Sequence, residues 1–152
     1  MEGKMRRIVI ALGCLALSGP ALADSLSPGQ SGTGVLSSSN AKINDTYYDC
    51  VPLMAHAGQT VVVTMTSTDF DSVLYVGHGS DCASMTVDER NDDGPQMGHN
   101  SQVTVTIEGG ETYWLRPSTW SYGATGSYTL SATVPGGNAN APTVFHNNFR
   151  LN

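Results

Sequence analysis

Two seven-residue stretches limit the fold more than anything else in this chain. Thr60 to Thr66 places Val61, Val63 and Met65 on one face and Val62, Thr64 and Thr66 on the other. Gln102 to Glu108 sets Val103, Val105 and Ile107 against Thr104, Thr106 and Glu108, and ends in the turn pair Gly109-Gly110. A period of two is that of a pleated strand with one buried face; a helix cannot keep its apolar residues together at that spacing. The core of the protein is therefore built from strands.

The remaining apolar runs are short and separated by turn residues. Asp24 to Ser39 is rich in Ser, Gly and Pro and reads as a linker, with an edge strand at Gly34 to Ser37. Asn44-Asp45 is a turn signal before Thr46 to Val51, and Pro52 confines that run to an edge or a bulge. Ser72 to Val76 follows the tight link Asp69-Phe70-Asp71, with Phe70 placed to cap the core, and is closed by Gly77. Met85 to Arg90 is a weaker strand, Thr112 to Arg116 a firmer one, and Ser118 to Thr125 is expected to loop out. Gly126 to Thr133 closes the series, with Tyr128, Leu130 and Ala132 on one face. Only 13% of the chain is charged, and Leu/Glu/Lys/Ala-rich stretches are missing, which disfavours helices. Seven to eight short strands in a 152-residue chain make one all-β domain, a sandwich or a barrel.

Residues 1–23 read as a secretory signal, with Lys4, Arg6 and Arg7 before the apolar run Ile8 to Leu17 and a small-residue site at Ala21-Leu22-Ala23. The apolar run is shorter than the roughly 20 residues a membrane-spanning helix needs. Cys14, after Leu12-Gly13, is the rival, a lipoprotein acceptor. Loss of the leader leaves Cys50 and Cys82 as an even pair bound for an oxidising compartment, and a disulfide is expected between them. The chain carries a net charge of −6, which falls further without the basic leader. Its other basic residues, Lys42, Arg90, Arg116 and Arg150, are scattered, which argues against nucleic acid as a partner. Residues 40–134 are taken as the folded domain and residues 135–152 as a C-terminal tail.

The succession Tyr47-Tyr48-Asp49, Ala57-Gly58-Gln59, Asp69-Phe70-Asp71, Asn91-Asp92-Asp93-Gly94, Gly110-Glu111-Thr112-Tyr113 and Gly126-Ser127-Tyr128-Thr129-Leu130 resembles the bacterial pre-peptidase C-terminal domain family, relatives of the collagen-binding domains of clostridial collagenases. The likeness runs from about Val35 to Val134. It implies a jelly-roll-like antiparallel β-sandwich of about eight short strands that usually follows a secreted protease as a non-catalytic module, sometimes binding calcium or extracellular polymers. No protease domain accompanies it here, and the Cys50 and Cys82 pair is not a general mark of the family.

Three kinds of chemistry are then open. No nucleophile sits in a Gly-x-Ser-x-Gly elbow, and His56, His78, His99 and His146 are read as residues of Gly- or Asn-rich loops, so no enzyme is expected. Calcium takes about six to eight oxygens, and Asp69, Asp71, Asn91, Asp92 and Asp93 are expected to converge at one end of the sandwich as its ligands; the same side chains also serve as turn formers that bond backbone N–H groups. Strand alternation with Tyr113 and Leu115 inward turns Trp114 and Arg116 outward, and Trp120 and Tyr122 follow in the next loop. Those four form a candidate binding platform. The expected function is an exported accessory module, periplasmic or secreted, for an extracellular or periplasmic protein or polysaccharide. A structural protein of the cell envelope and an accessory to a separate protease are the alternatives.

Overall fold

The computed structural model describes residues 25–136. The segment expected as a leader, Cys14, His146 and most of residues 135–152 lie outside them. Ten antiparallel strands make the fold: β1 (Ser31–Leu36), β2 (Ala41–Ile43), β3 (Thr46–Tyr48), β4 (Val51–Leu53), β5 (Thr60–Thr66), β6 (Ser72–His78), β7 (Thr86–Asn91), β8 (Ser101–Thr106), β9 (Tyr113–Thr119) and β10 (Gly126–Thr133). One sheet runs β1-β10-β5-β8 and the other β2-β3-β9-β6-β7, with β4 also paired to β9. The protein is an all-β sandwich.

The alternating residues face as the pattern requires. Val61, Val63 and Met65 from β5, Val103 and Val105 from β8, and Tyr128, Leu130 and Ala132 from β10 are buried. They meet Leu74 and Val76 of β6 and Tyr113 and Leu115 of β9 in one core, with Phe70 packed at its margin. Within the stretch expected as linker or edge strand, Ser31–Leu36 is β1, paired to β10 along its length. Leu26, ahead of it, and Leu36, its last residue, are buried. Apolar burial at both ends outweighs the loop-like composition between them.

Tyr128 crosses the core. Its ring lies where a Cβ on the facing Gly34 would stand, so only glycine fits at that point of β1. The Tyr128 hydroxyl donates to Asp49 Oδ2 at 3.0 Å, tying one sheet to the β3–β4 junction of the other. Burial, with Asp49 adding to it, pushes the Tyr128 phenol far above its usual value and keeps it neutral.

The run from Thr46 to Val51 is two strands rather than one, and the strand expected over Thr112 to Arg116 continues to Thr119. The first departure turns on Pro117, and the second follows the pairing of β9 with β6 as far as Ser72 opposite Thr119. The Pro117 carbonyl accepts from Asp49 N–H at 3.1 Å. A residue's N and O point to the same side of a strand, so the missing proline N–H faces the gap between β3 and β4. The ladder is interrupted where the proline cannot donate. Asn44 and Asp45, both at positive φ, make the two-residue turn between β2 and β3.

Cys50 sits in that gap and is bonded to Cys82, with Cα atoms 5.9 Å apart and a sequence separation of 32. The bond pins the segment between β6 and β7 over the outer face of β9. Reduction should cost about 3–4 kcal/mol on the chain-entropy model, read as a lower denaturant midpoint in dithiothreitol. A Cys50→Ala/Cys82→Ala variant should match the reduced protein and show no further response to reductant.

Candidate functional site: an arginine and aromatic cleft

The outer face of the six-stranded sheet carries a row of side chains set by register. Arg116 of β9 lies opposite Tyr75 of β6, and Tyr75 lies opposite Arg90 of β7. The Tyr75 ring therefore sits between two guanidinium groups, with Arg116 Cζ 4.7 Å from its centroid and Arg90 Cζ 5.6 Å. Tyr48 flanks Arg116 at 5.8 Å, and Trp120 flanks Arg90 at 5.5 Å. Such contacts are worth about 0.5–2 kcal/mol, most where water is excluded.

These groups wall a cleft of ≈ 150 Å³ together with Tyr122 and the polar side chains of Thr46 and Ser118. Trp120 is 55% exposed and Tyr122 79%, so both rings offer a face to solvent. The loop that carries them is anchored at two points. Trp120 N–H donates to the Asp71 carbonyl at 2.9 Å, and Gly123 N–H to the Asp45 carbonyl at 3.0 Å. The Arg90 guanidinium is pushed above its already high value, first by its hydrogen bond with Tyr75 and then by Asp92.

Of the four residues expected on this face, Arg116, Trp120 and Tyr122 wall the cleft. Trp114 does not: its indole N–H donates to the Gly79 carbonyl at 2.9 Å, and it packs beneath the loop after β6. Tyr48, Tyr75 and Arg90 were missed. Outward alternation along Ser72 to Val76 signals Tyr75, but which strands lie beside it depends on pairing across the sheet.

The five expected calcium ligands are divided. Asp69 Oδ2 accepts from Ser127 N–H at 2.7 Å and occupies the space a Cβ on Gly126, at positive φ, would fill. Asn91 Oδ1 accepts from Gln102 N–H at 3.3 Å. Asp92 pairs with Arg90 at 3.4 Å. Asp71 and Asp93 do meet, and His99 joins them, with one donor atom of each within 4.8 Å of the others. His99 Nδ1 lies 3.2 Å from Asp71 Oδ2; Asp71 Oδ1 is buried without a hydrogen-bond partner. Two carboxylates give up to four of the oxygens calcium takes, and the imidazole is a nitrogen donor that a zinc-class ion uses more readily.

His78 stands at the end of β6 rather than in a loop, with Nδ1 2.9 Å from Asp88 Oδ2. That hydrogen bond raises its pKa above the usual 6.5, against a smaller lowering by desolvation. The folded state thus holds the proton more tightly than the unfolded one. The pair's contribution is complete below about pH 6.5 and is lost as pH rises through the raised value. Unfolding of Asp88→Asn, followed between pH 5 and 9, should lack the downward step that the unaltered protein shows.

No family model matches the sequence, and no curated protein matches it. Among solved structures, a mitogen from Yersinia pseudotuberculosis aligns at a TM-score of 0.47 and 15% identity over 74% of this chain and 90% of that one. A periplasmic inhibitor of g-type lysozyme from Aeromonas hydrophila aligns at 0.45 and 17% over 69% and 84%. The pre-peptidase C-terminal domain of a collagenase from Bacillus anthracis aligns at a TM-score of 0.53 and 16% identity over 76% of this chain and 98% of that domain, and with it the chain shares its β-sandwich fold.

Proposed function

We propose that this protein is an exported, non-catalytic module that binds an extracellular or periplasmic polymer or protein through the cleft on its six-stranded sheet. The observation that carries the reading is the held pair of exposed rings, Trp120 and Tyr122, beside Arg90 and Arg116. Large rings on an anchored loop offer apolar area at little cost in conformational entropy, the usual make-up of a binding hot spot. Export is supported by the Cys50–Cys82 disulfide, which persists in oxidising compartments. The expected result is saturable retention on a panel of polysaccharides and envelope or matrix proteins, without turnover. Trp120→Ala/Tyr122→Ala should weaken that retention roughly 5- to 30-fold, about 1–2 kcal/mol, with little change in Tm. Unchanged retention in the double variant removes the cleft as the site.

A second reading, stabilisation by calcium, is favoured by the buried, unpartnered Asp71 Oδ1 beside Asp93. Calcium at this point would link the start of β6 to the segment before β8. Adding Ca²⁺ to chelator-treated protein is expected to raise Tm, by an amount that grows with ion concentration, and Asp71→Asn should abolish the rise. No change in Tm over millimolar Ca²⁺ removes this reading.

A further inference from the structure

Arg116 is the least ordinary group in the cleft. It is 8% exposed, yet among the described residues no carboxylate stands within ion-pair distance of it: the pairs are His78 with Asp88, Arg90 with Asp92, and His99 with Asp71. Its protein partners are two carbonyls, those of Cys82 at 3.4 Å and Ala83 at 3.5 Å, both reached by Nη1. A guanidinium has five N–H donors. Nε and Nη2 are not bonded to the protein, and neither is sealed from solvent, since the buried side-chain polar atom without a partner among the described residues is Asp71 Oδ1. Arg116 is one of the side chains that wall the cleft. Burying a charge without a counter-charge is costly. Here the cost is retained in an acidic protein, where two of the three Lys and Arg residues of the described segment face one cleft.

Resting on the binding role proposed above, we infer that the cleft is built for a carboxylate borne on a sugar ring, one uronate unit of an acidic polysaccharide. Three observations select this ligand. Arg90 is already matched by Asp92, which leaves one uncompensated positive charge, equal to that of a carboxylate and short of that of a phosphate dianion. The planar guanidinium receives a carboxylate through parallel N–H bonds. The exposed faces of Trp120 and Tyr122 are suited to stack on the C–H face of a pyranose. A cleft of ≈ 150 Å³ is well below the roughly 300–1,000 Å³ of pockets that enclose a whole small molecule, and suits one ring of a chain that continues across the surface.

The test is binding of the full chain to polygalacturonate, to the same polymer with its carboxyls reduced to alcohols, to a neutral glucan and to poly-glutamate. Polygalacturonate is expected to bind, and carboxyl reduction should weaken binding roughly 10- to 100-fold. Arg116→Gln should do the same, with a lower Tm because the carbonyls of Cys82 and Ala83 lose their donor. If that variant does not fold, the reduced polymer makes the comparison on unaltered protein. Equal binding of the native and reduced polymers, or of the neutral glucan, overturns the carboxylate inference and leaves the binding module standing. Binding of poly-glutamate with none of polygalacturonate overturns the sugar in favour of an acidic peptide. No binding to any of the four overturns the inference, and the wider panel of polymers and proteins then decides the module itself.

Discussion

The architecture depends on β9 being buried on both faces. Tyr113, Leu115 and Pro117 fill the core side, where the hydrophobic effect holds them without further help. The other side, with Trp114, Arg116 and Ser118, would face water in an ordinary two-layer sandwich. It is covered instead by the Gly-, Ser- and Asp-containing segment after β6, which has little apolar area of its own to hold it down. The Cys50–Cys82 bond supplies what packing cannot. Trp114 reaches the Gly79 carbonyl and Arg116 reaches those of Cys82 and Ala83, so the segment's inward carbonyls are satisfied by the strand beneath it.

The cleft is a consequence of that cover. Arg116 is enclosed on one side by the disulfide-held segment and on the others by Tyr48 and Tyr75, and it walls the same cleft as Trp120 and Tyr122. The surrounding protein is acidic, so a positive spot in a low-dielectric wall stands out against a field that repels most anions. This combination admits a ligand that brings both a flat apolar face and a single negative charge. Asp71 lies at the junction of two features: its side chain joins Asp93 and His99, and its carbonyl receives the Trp120 N–H. An ion held there would bear on the loop that presents the aromatic rings.

Much of the fold was legible in the residues. Alternation in Thr60 to Thr66 and Gln102 to Glu108 named the buried faces of β5 and β8, and the turn residues marked most strand ends. The strand expected over Thr112 to Arg116 stops short of Pro117 and Thr119 because a proline within a strand is tolerated only where no ladder partner needs its N–H, and that gap between β3 and β4 is seen only in the folded sheet. The linker-like composition of Asp24 to Ser39 hid β1 because only Leu26 and Leu36 in it need burial. His78 was taken for a loop residue since Gly77 beside it suggested a strand end, whereas Gly77 marks a bulge against β7.

The sequence by itself determined the all-β class, the inward faces of the long strands and the pairing of Cys50 with Cys82, because strand periodicity and cysteine number are local or countable properties. Tertiary structure alone decided which side chains share a site. Tyr48, Tyr75, Arg90 and Arg116 are brought together by register between strands far apart in sequence. Asp71 and Asp93 gained His99 and lost Asp69, Asn91 and Asp92 because each of those three found a nearer partner. A one-residue change of register would turn Tyr75 to the other face, and that choice is made by packing across the whole sandwich.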